Sequence, residues 1–319
     1  MPTLEDQHLP FFSVVVPTYN RASTIARTLE SVRIQTWSNF ECIIVDDGSL
    51  DGPDLADAVS RLEDRRFRVI RQDNAGGGAA RNKGVAAAKG NFIAFLDSDD
   101  FFLPNKLSDI HAELVRPGGD DQHTVLFSQI FVERGKERTW IKPSRAPHAC
   151  ERIDDYLILN GGFIQTSSIV IPREVARDVR FDEALPFGQD TDFCIRLAAF
   201  GCSFSMMPEP LVVWTDDSTL NRVSNNRRVD ALLSWTDRVK PLISKKSYLA
   251  YRGWHGAKAA MSASPILAVK LFTTALVRGA FSPKLAARVS MQIFLPPRLY
   301  RNAANWVVTY FGVNLKDKP

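Results

Sequence analysis

The chain has 319 residues, of which 45% are hydrophobic, 24% charged and 10% aromatic. That suffices for one large α/β domain or a domain with an appendage, and disorder is not indicated. The formal charge is +4, and no nucleic-acid partner is expected.

In chain order, Phe12–Val16 is a short apolar run ending at Pro17, the pattern of a buried strand. Ile25, Leu29 and Val32 then mark one face of a helix. Further apolar runs at Cys42–Val45, Phe67–Ile70 and Phe92–Leu96 predict three more strands, and the Ala-rich Gly76–Lys89 predicts a helix after its glycines. This β-α-β order predicts an α/β fold with a mainly parallel central sheet flanked by helices. Val125–Val132, Ser168–Ile171 and Leu211–Trp214 read as later strands, and Asp190–Phe200 as a helix. Beyond about Asn225 the pattern is helical, with breaks near Pro241, Pro265, Pro283 and Pro296-Pro297.

Ligands of such sheets bind at the C-terminal ends of the strands. The polar clusters fall there: Thr18-Tyr19-Asn20 after Pro17, Asp46-Asp47-Gly48-Ser49, and Asp97-Ser98-Asp99-Asp100. Two carboxylates one residue apart in the last cluster can converge on a hard cation, which would neutralise a diphosphate. A turn or helix cap is the other use of such residues. Asp46-Asp47-Gly48 can accept hydrogen bonds from a base or ribose, although Asp-Gly is also common in turns. The glycine-rich segment Asn74–Gly84 resembles neither a dinucleotide fingerprint nor a Walker loop, because Arg81 stands where a small residue belongs and no Gly-Lys-Ser/Thr follows. Arg81 offers a rigid fork to phosphate.

Taken together, the segments Phe12–Asn20, Asp46–Ser49, Asn74–Gly84 and Asp97–Asp100 resemble the inverting family 2 glycosyltransferases of the GT-A fold, of the non-processive bacterial polysaccharide type. The resemblance implies that Pro17, Thr18, Tyr19, Asn20, Asn74, Ser98 and one of Asp46 and Asp47 hold the nucleotide part of a sugar donor. It further implies that Arg81 and Asp97 face that donor and that Asp99 holds Mn²⁺ or Mg²⁺. Members of the family commonly carry Gly-Glu-Asp-x-Asp, with the Asp after Glu as catalytic base. Here the segment is Gly188-Gln189-Asp190-Thr191-Asp192, so Asp190 keeps the base position and Gln189 replaces the acid. Loss of a neighbouring carboxylate is expected to lower the pKa of Asp190. Helix-terminal charge is the plainer use of Asp190 and Asp192. Gly161–Ser168, including Gly162 and Ser167, resembles the acceptor-side loop. Trp214 can stack on an acceptor sugar or sit in the core, and Arg222 and Ser224 fall where related enzymes have a loop near the diphosphate. No Gln-x-x-Arg-Trp motif of processive synthases is present.

The implied activity is transfer of one hexose from a nucleotide diphosphate sugar, with UDP favoured by family frequency, to a saccharide or lipid-linked acceptor. A sugar nucleotidyltransferase and a non-catalytic sugar-nucleotide-binding scaffold are the competing readings. The expected domains are 1–239, with a donor half 1–100 and an acceptor half 101–239, and a basic helical region 240–319. That last region has 13 Lys/Arg and one acid, Asp317, against 27 basic and 35 acidic residues before it. Leu267, Leu271, Ala275 and Val277, then Leu285, Val289 and Ile293, recur near helical spacing among these cations, and the segment 294–300 with Trp306 adds apolar and aromatic groups that favour an interface. An anionic membrane surface is one expected partner; packing on the protein or a homodimer is the other use of such faces. Pro265–Phe281 is too short and too charged to span a bilayer. Met1–Pro10 has no apolar core, so no signal peptide is expected. Cys42, Cys150, Cys194 and Cys202 form no Cys-x-x-Cys pair, which argues against zinc and for reduced, buried thiols. The expected location is cytoplasmic, peripheral on the inner face of the membrane.

Overall fold

A computed structural model of the chain describes residues 9–116, 122–134, 138–215, 229–296 and 299–300. The chain forms two compact units, Met1–Ala146 with Ile164–Thr219, and Pro147–Phe163 with Leu220–Pro319.

The first unit opens with β1 (Phe12–Thr18), α1 (Ala26–Arg33), β2 (Phe40–Asp46), α2 (Gly52–Ser60), β3 (Phe67–Arg71), α3 (Gly77–Ala87) and β4 (Phe92–Phe95). β1 pairs in parallel with both β2 and β4, and β2 with β3. All seven residues of β1 are buried, so its sequence shows no alternation, as a strand covered on both faces requires. Ile25, Leu29 and Val32 are fully buried along the predicted face of α1. The expected parallel arrangement therefore holds over the front of the sheet.

Behind it the sheet is mixed. The chain continues through β5 (Phe101–Phe102), α4 (Lys106–Leu114), β6 (Thr124–Arg134), β7 (Arg138–Lys142) and β8 (Val170–Pro172), then α6 (Arg173–Val179), α7 (Gln189–Ala199) and β9 (Ser203–Thr215). The strand order is β3-β2-β1-β4-β8-β6-β9-β5, with β7 on β6. β8 is antiparallel to β4 and β6, whereas β6 and β9 are parallel. β9 starts eight residues before the predicted Leu211. Pro208 and Pro210 break its apolar pattern, and the register slips there, with Met207 opposite Ser128 but Pro210 opposite Gln129. A bulge of this kind absorbs prolines that a regular ladder rejects.

The second unit is helical among its described residues: α5 (Ile153–Ile158), α8 (Val229–Val239), α9 (Lys245–Tyr251), a π-helical turn Arg252–Gly256, α10 (Ala257–Ala260), α11 (Pro265–Val277) and α12 (Pro283–Phe294). Proline sets the boundaries, as predicted. Pro265 and Pro283 stand in the first turns of α11 and α12, where no backbone N–H is needed. Leu285, Val289 and Ile293 are buried on one face of α12. No helix among the described residues is long and apolar enough to cross a membrane. Cys42, Cys194 and Cys202 are buried free thiols, whereas Cys150 is exposed, contrary to the expectation of burial.

Candidate active site

Because β1, β2 and β4 run in parallel, their C-terminal ends bring the polar clusters to one edge of the sheet. After β1, Tyr19 is 48% exposed, and Pro17 and Thr18 are buried. Asn20 adopts a left-handed φ of 51°. Its N–H donates to Ser49 Oγ (2.9 Å), and its Oδ1 accepts from Leu50 N–H (2.8 Å), which ties the first turn to the second.

The two acids after β2 have separate tasks. Asp46 is buried; it accepts from Ser49 N–H (2.9 Å) and pairs with Arg71 at 2.5 Å. Arg71 lies opposite Asp46 in the β2–β3 register. Asp47, also buried, organises the glycine-rich loop. Its carboxylate accepts from Gln72 Nε2 (2.7 Å), Ala75 N–H (2.9 Å) and Gly76 N–H (2.8 Å), while its carbonyl accepts from Asn74 Nδ2 (3.0 Å). Gly48, at φ +78°, allows the close approach, since a Cβ there would sit 2.8 Å from Asn74 N. The Asp47 carboxylate thus shapes the glycine-rich loop, its carbonyl anchors Asn74, and the Asp46 carboxylate holds the Ser49 turn and Arg71.

Arg81 is the hub of the site. Buried on α3, it donates to Asp97 Oδ1 (2.5 Å) and Gln189 Oε1 (2.7 Å), so one guanidinium joins α3, the end of β4 and the start of α7. Gln189 in turn donates to the Leu185 carbonyl (2.7 Å). Arg81 Nε and Thr18 Oγ1 are buried with no hydrogen-bond partner in the protein. Buried polar atoms are nearly always satisfied, so these two are open to a ligand; Arg21 Nη1, Trp37 Nε1, Asp51 Oδ1 and Ser128 Oγ are orphaned as well.

Asp190 is half-buried at the start of α7 and accepts from Thr191 N–H (2.8 Å). The protein packed around its carboxyl raises its pKa; the Thr191 N–H opposes this, the charge of Asp97 adds to it, and Arg81 opposes it. The expected lowering from Gln189 is therefore outweighed by burial. Asp192 is buried instead and pairs with Arg196 one turn on, at 2.7 Å.

Asp97, Ser98 and Asp99 are half-buried, and Asp99 stands 3.6 Å from Arg21. Ser98 contributes its carbonyl, which accepts from Thr28 Oγ1 (3.0 Å). Asp100 is fully buried, and burial followed by the charges of Asp97 and Asp99 pushes its pKa well up. It accepts from Gln165 Nε2 (2.6 Å), Ser167 Oγ (2.7 Å) and Thr215 N–H (3.2 Å). No group of three or more His, Cys, Asp or Glu residues that could hold a metal occurs among the described residues. A protein cage is thus lacking. Asp97 and Asp99 are hard oxygen donors that fit Mg²⁺ or Mn²⁺, ions that take one or two carboxylates and complete their shell with phosphate and water.

On the expected acceptor side, Ser167 is fully buried; its hydroxyl donates to Asp100 and accepts from Asp97 N–H (2.9 Å). It supports the acidic turn from behind, and its hydroxyl is not on the surface. Gly162 belongs to the second unit, where a Cβ would lie 2.4 Å from the Tyr156 ring. Trp214 is half-buried in β9, opposite Val132. Arg222, Ser224 and Trp306 lie outside the described residues. Arg71 and Gln165 were not singled out from sequence. Arg71 carried a signal, since it is a charged residue ending the strand next to Asp46; Gln165 carried none, since its partner Asp100 is 65 residues away.

Residues 13–180 match the family model described as glycosyl transferase family 2. The amylovoran biosynthesis glycosyltransferase AmsB of Erwinia amylovora is 34% identical over 247 residues, covering 76% of this chain and 82% of its own. Among solved structures, S. aureus TarS 1-349 in complex with UDP-GlcNAc superimposes with a TM-score of 0.60 at 19% identity, over 94% of this chain and 89% of that one. The mannosyltransferase PcManGT from Pyrobaculum calidifontis, in complex with GDP-Man and Mn²⁺, gives 0.55 at 17% identity, over 95% and 88%. The structural likenesses agree with a GT-A fold, and the sequence match over more than half the chain establishes that the protein belongs to glycosyl transferase family 2.

Proposed function

We propose that this glycosyltransferase moves one hexose from a UDP-sugar, with inversion, to a saccharide acceptor carried on a lipid, in the synthesis of a surface polysaccharide. The observation that carries this reading is the Arg81 hub, which gathers Asp97, Gln189 and Asp190 at the C-terminal edge of the sheet. UDP is favoured by the UDP-GlcNAc bound to the similar TarS, and polysaccharide synthesis by the likeness to the amylovoran biosynthesis glycosyltransferase AmsB. Residues 1–100 serve the donor, 101–239 the acceptor, and 240–319 a membrane surface on the cytoplasmic side.

In this reading the turns after β1 and β2 receive the nucleoside beside exposed Tyr19. Thr18 and Arg81, each with an unsatisfied buried atom, complete their hydrogen bonds on the donor. Asp97 and Asp99 would hold Mn²⁺ or Mg²⁺. When bound, that ion neutralises the diphosphate and stabilises its departure. Asp190 takes the proton of the acceptor hydroxyl as that oxygen attacks the anomeric carbon and the bond to the diphosphate breaks. Its raised pKa makes it a stronger base once ionised.

Nucleotide release from a panel of UDP-, GDP- and dTDP-sugars, with and without saccharide acceptors, tests the proposal. Asp190→Asn is expected to lower kcat roughly 10²–10⁴-fold, the usual contribution of a general base, with donor affinity unchanged. Near-normal turnover in this variant rules out Asp190 as the base. Acceptor-independent silence with every donor counts against transferase activity.

A further inference from the structure

The second unit contains a cavity of about 360 Å³ lined by Lys240, Ile243, Lys245, Tyr248, Leu249 and Arg278. Three of the six are cations and none is an acid. Asp237 accepts from the cavity residue Tyr248 through its Oη (2.7 Å) and from Arg252 (2.8 Å), and the charge of Lys240 acts on it as well. Asp154 and Asp155 cap the start of α9 through Ser244 N–H (2.7 Å), Ser244 Oγ (2.5 Å) and Ser247 Oγ (2.7 Å). From Lys240 to Lys316 the sequence holds no acid at all. This basic lining suits an anion. Ile243 and Leu249 add apolar wall, from which a bare inorganic ion gains nothing and an amphiphile gains contact.

The cavity adjoins an exposed apolar stripe that Lys270 and Thr273 interrupt. Arg278 follows directly on Val277, the last residue of α11, whose side chain is 85% exposed. Ile266, 85% exposed, and Val269 and Leu276, each more than 40% exposed, extend the stripe along the 13-residue helix. A helix that exposes apolar side chains, with cations beside them as Lys270 and Arg278 are here, can rest at a membrane interface with the apolar groups among the acyl chains and the cations at the headgroups.

We propose that this cavity seats the phosphate headgroup of an anionic membrane lipid while the outer face of α11 enters the leaflet beside it. The inference rests on the reading of 240–319 as membrane-facing and goes beyond it in naming a discrete lipid site. Lys240, Lys245 and Arg278 surround the phosphate, and Ile243 and Leu249 meet the glycerol and the start of the chains.

The test is flotation of the full chain with phosphatidylcholine vesicles containing half phosphatidylglycerol, against phosphatidylcholine alone. The chain is expected to float with the anionic vesicles only. A basic residue near an anionic surface contributes about fivefold in affinity, so Lys240→Gln/Lys245→Gln/Arg278→Gln is expected to lower partitioning roughly a hundredfold. The triple variant Lys246→Gln/Lys258→Gln/Lys284→Gln removes the same charge from exposed positions outside the cavity, and is expected to retain at least tenfold more binding. Equal losses in the two variants would mean diffuse attraction; they overturn the cavity site and leave the membrane reading standing. No flotation of the wild type overturns both. Calorimetric binding of inorganic phosphate, lost in the cavity variant, without vesicle binding overturns the lipid assignment. All variants change exposed or cavity-lining side chains, and an unaltered thermal melt establishes that each is folded.

Discussion

At Gln189 the chain carries an amide where the family segment it resembles carries a carboxylate. The amide fits its surroundings as a carboxylate cannot, because Nε2 donates to the Leu185 carbonyl while Oε1 accepts from Arg81. Glutamate would keep the Arg81 bond and turn an oxygen toward that carbonyl, losing one hydrogen bond worth about 1 kcal/mol. It would also place a second negative charge beside Asp190, whose pKa is already raised. A base must be ionised to work, so activity falls as pH drops through that pKa. Gln189→Glu is therefore expected to move the acid limb of the kcat/KM profile to higher pH, by about one unit for a like charge at this range, and to lower the melting temperature slightly. A profile superimposable on the wild type would show that Asp190 is not the group titrating on that limb. The amide also leaves Arg81 balanced by one carboxylate rather than two, so more of its positive charge is available to a diphosphate. That shift was foreseeable only in part. The sequence exposed the Gln-for-Glu change, but the partner that makes it matter, Arg81, lies 108 residues away.

Among the elements, those with a strong local pattern were legible. β1, β2, β4, α1 and α7 lie within two residues of their expected bounds, because continuous apolar runs and a 3.6-residue stripe leave few alternatives. β5 and β7 are short, exist through pairing with β9 and β6, and have no local signature. The same holds for the 3₁₀ turn Thr166–Ser168, where a strand was expected to begin. This turn is held on one side by the Asp100 carboxylate, through Ser167, and on another by Lys106, whose Nζ donates to the Ser168 carbonyl at 3.2 Å. Lys106 sits at the start of α4, fully buried, its ammonium 4.8 Å from the Phe102 ring centroid. Burial lowers its pKa to about 7. The sign of the linkage follows. Between pH 7 and the ordinary lysine value of 10.5 the unfolded chain holds a proton that the folded one has lost, so this residue makes stability rise with pH across that window, at up to about 1.4 kcal/mol per unit. Lys106→Met is expected to remove that slope and to raise stability at neutral pH relative to the wild type, since a buried charge is replaced by an apolar group of similar length. Urea denaturation at pH 7 and at pH 9 measures both. An undiminished slope in Lys106→Met would assign the pH dependence to other groups.

Over the whole molecule, charge is divided along the chain. Residues 1–239 carry 35 acids against 27 bases, and 240–319 carry 13 bases against one acid. In the proposed reading the acids of the first part serve the site: Asp47 orders the glycine-rich loop, Asp46 pairs with Arg71 beside it, and Asp97, Asp99 and Asp190 face the reacting groups. A second part with a single acid, Asp317, would offer an anionic membrane little competing repulsion. Two forces should then hold the protein there, and they respond differently to salt. The Coulombic part arises from exposed cations and fades as the Debye length contracts from about 10 Å at 0.1 M to about 3 Å at 1 M. The apolar part arises from exposed residues such as Ile266 and Val277, each contributing about 1.5–3 kcal/mol if fully buried, and is insensitive to salt screening. Wild-type partitioning into phosphatidylglycerol vesicles is accordingly expected to fall at least tenfold between 0.05 and 0.5 M NaCl, roughly the screening of two basic residues. Ile266→Ser/Val277→Ser should lower partitioning by the same factor at both salt concentrations, whereas the deficit of the cavity variant should shrink as salt rises. A deficit in Ile266→Ser/Val277→Ser that vanishes at high salt would show that α11 rests on the headgroups without entering the leaflet, and the attachment would then be electrostatic alone.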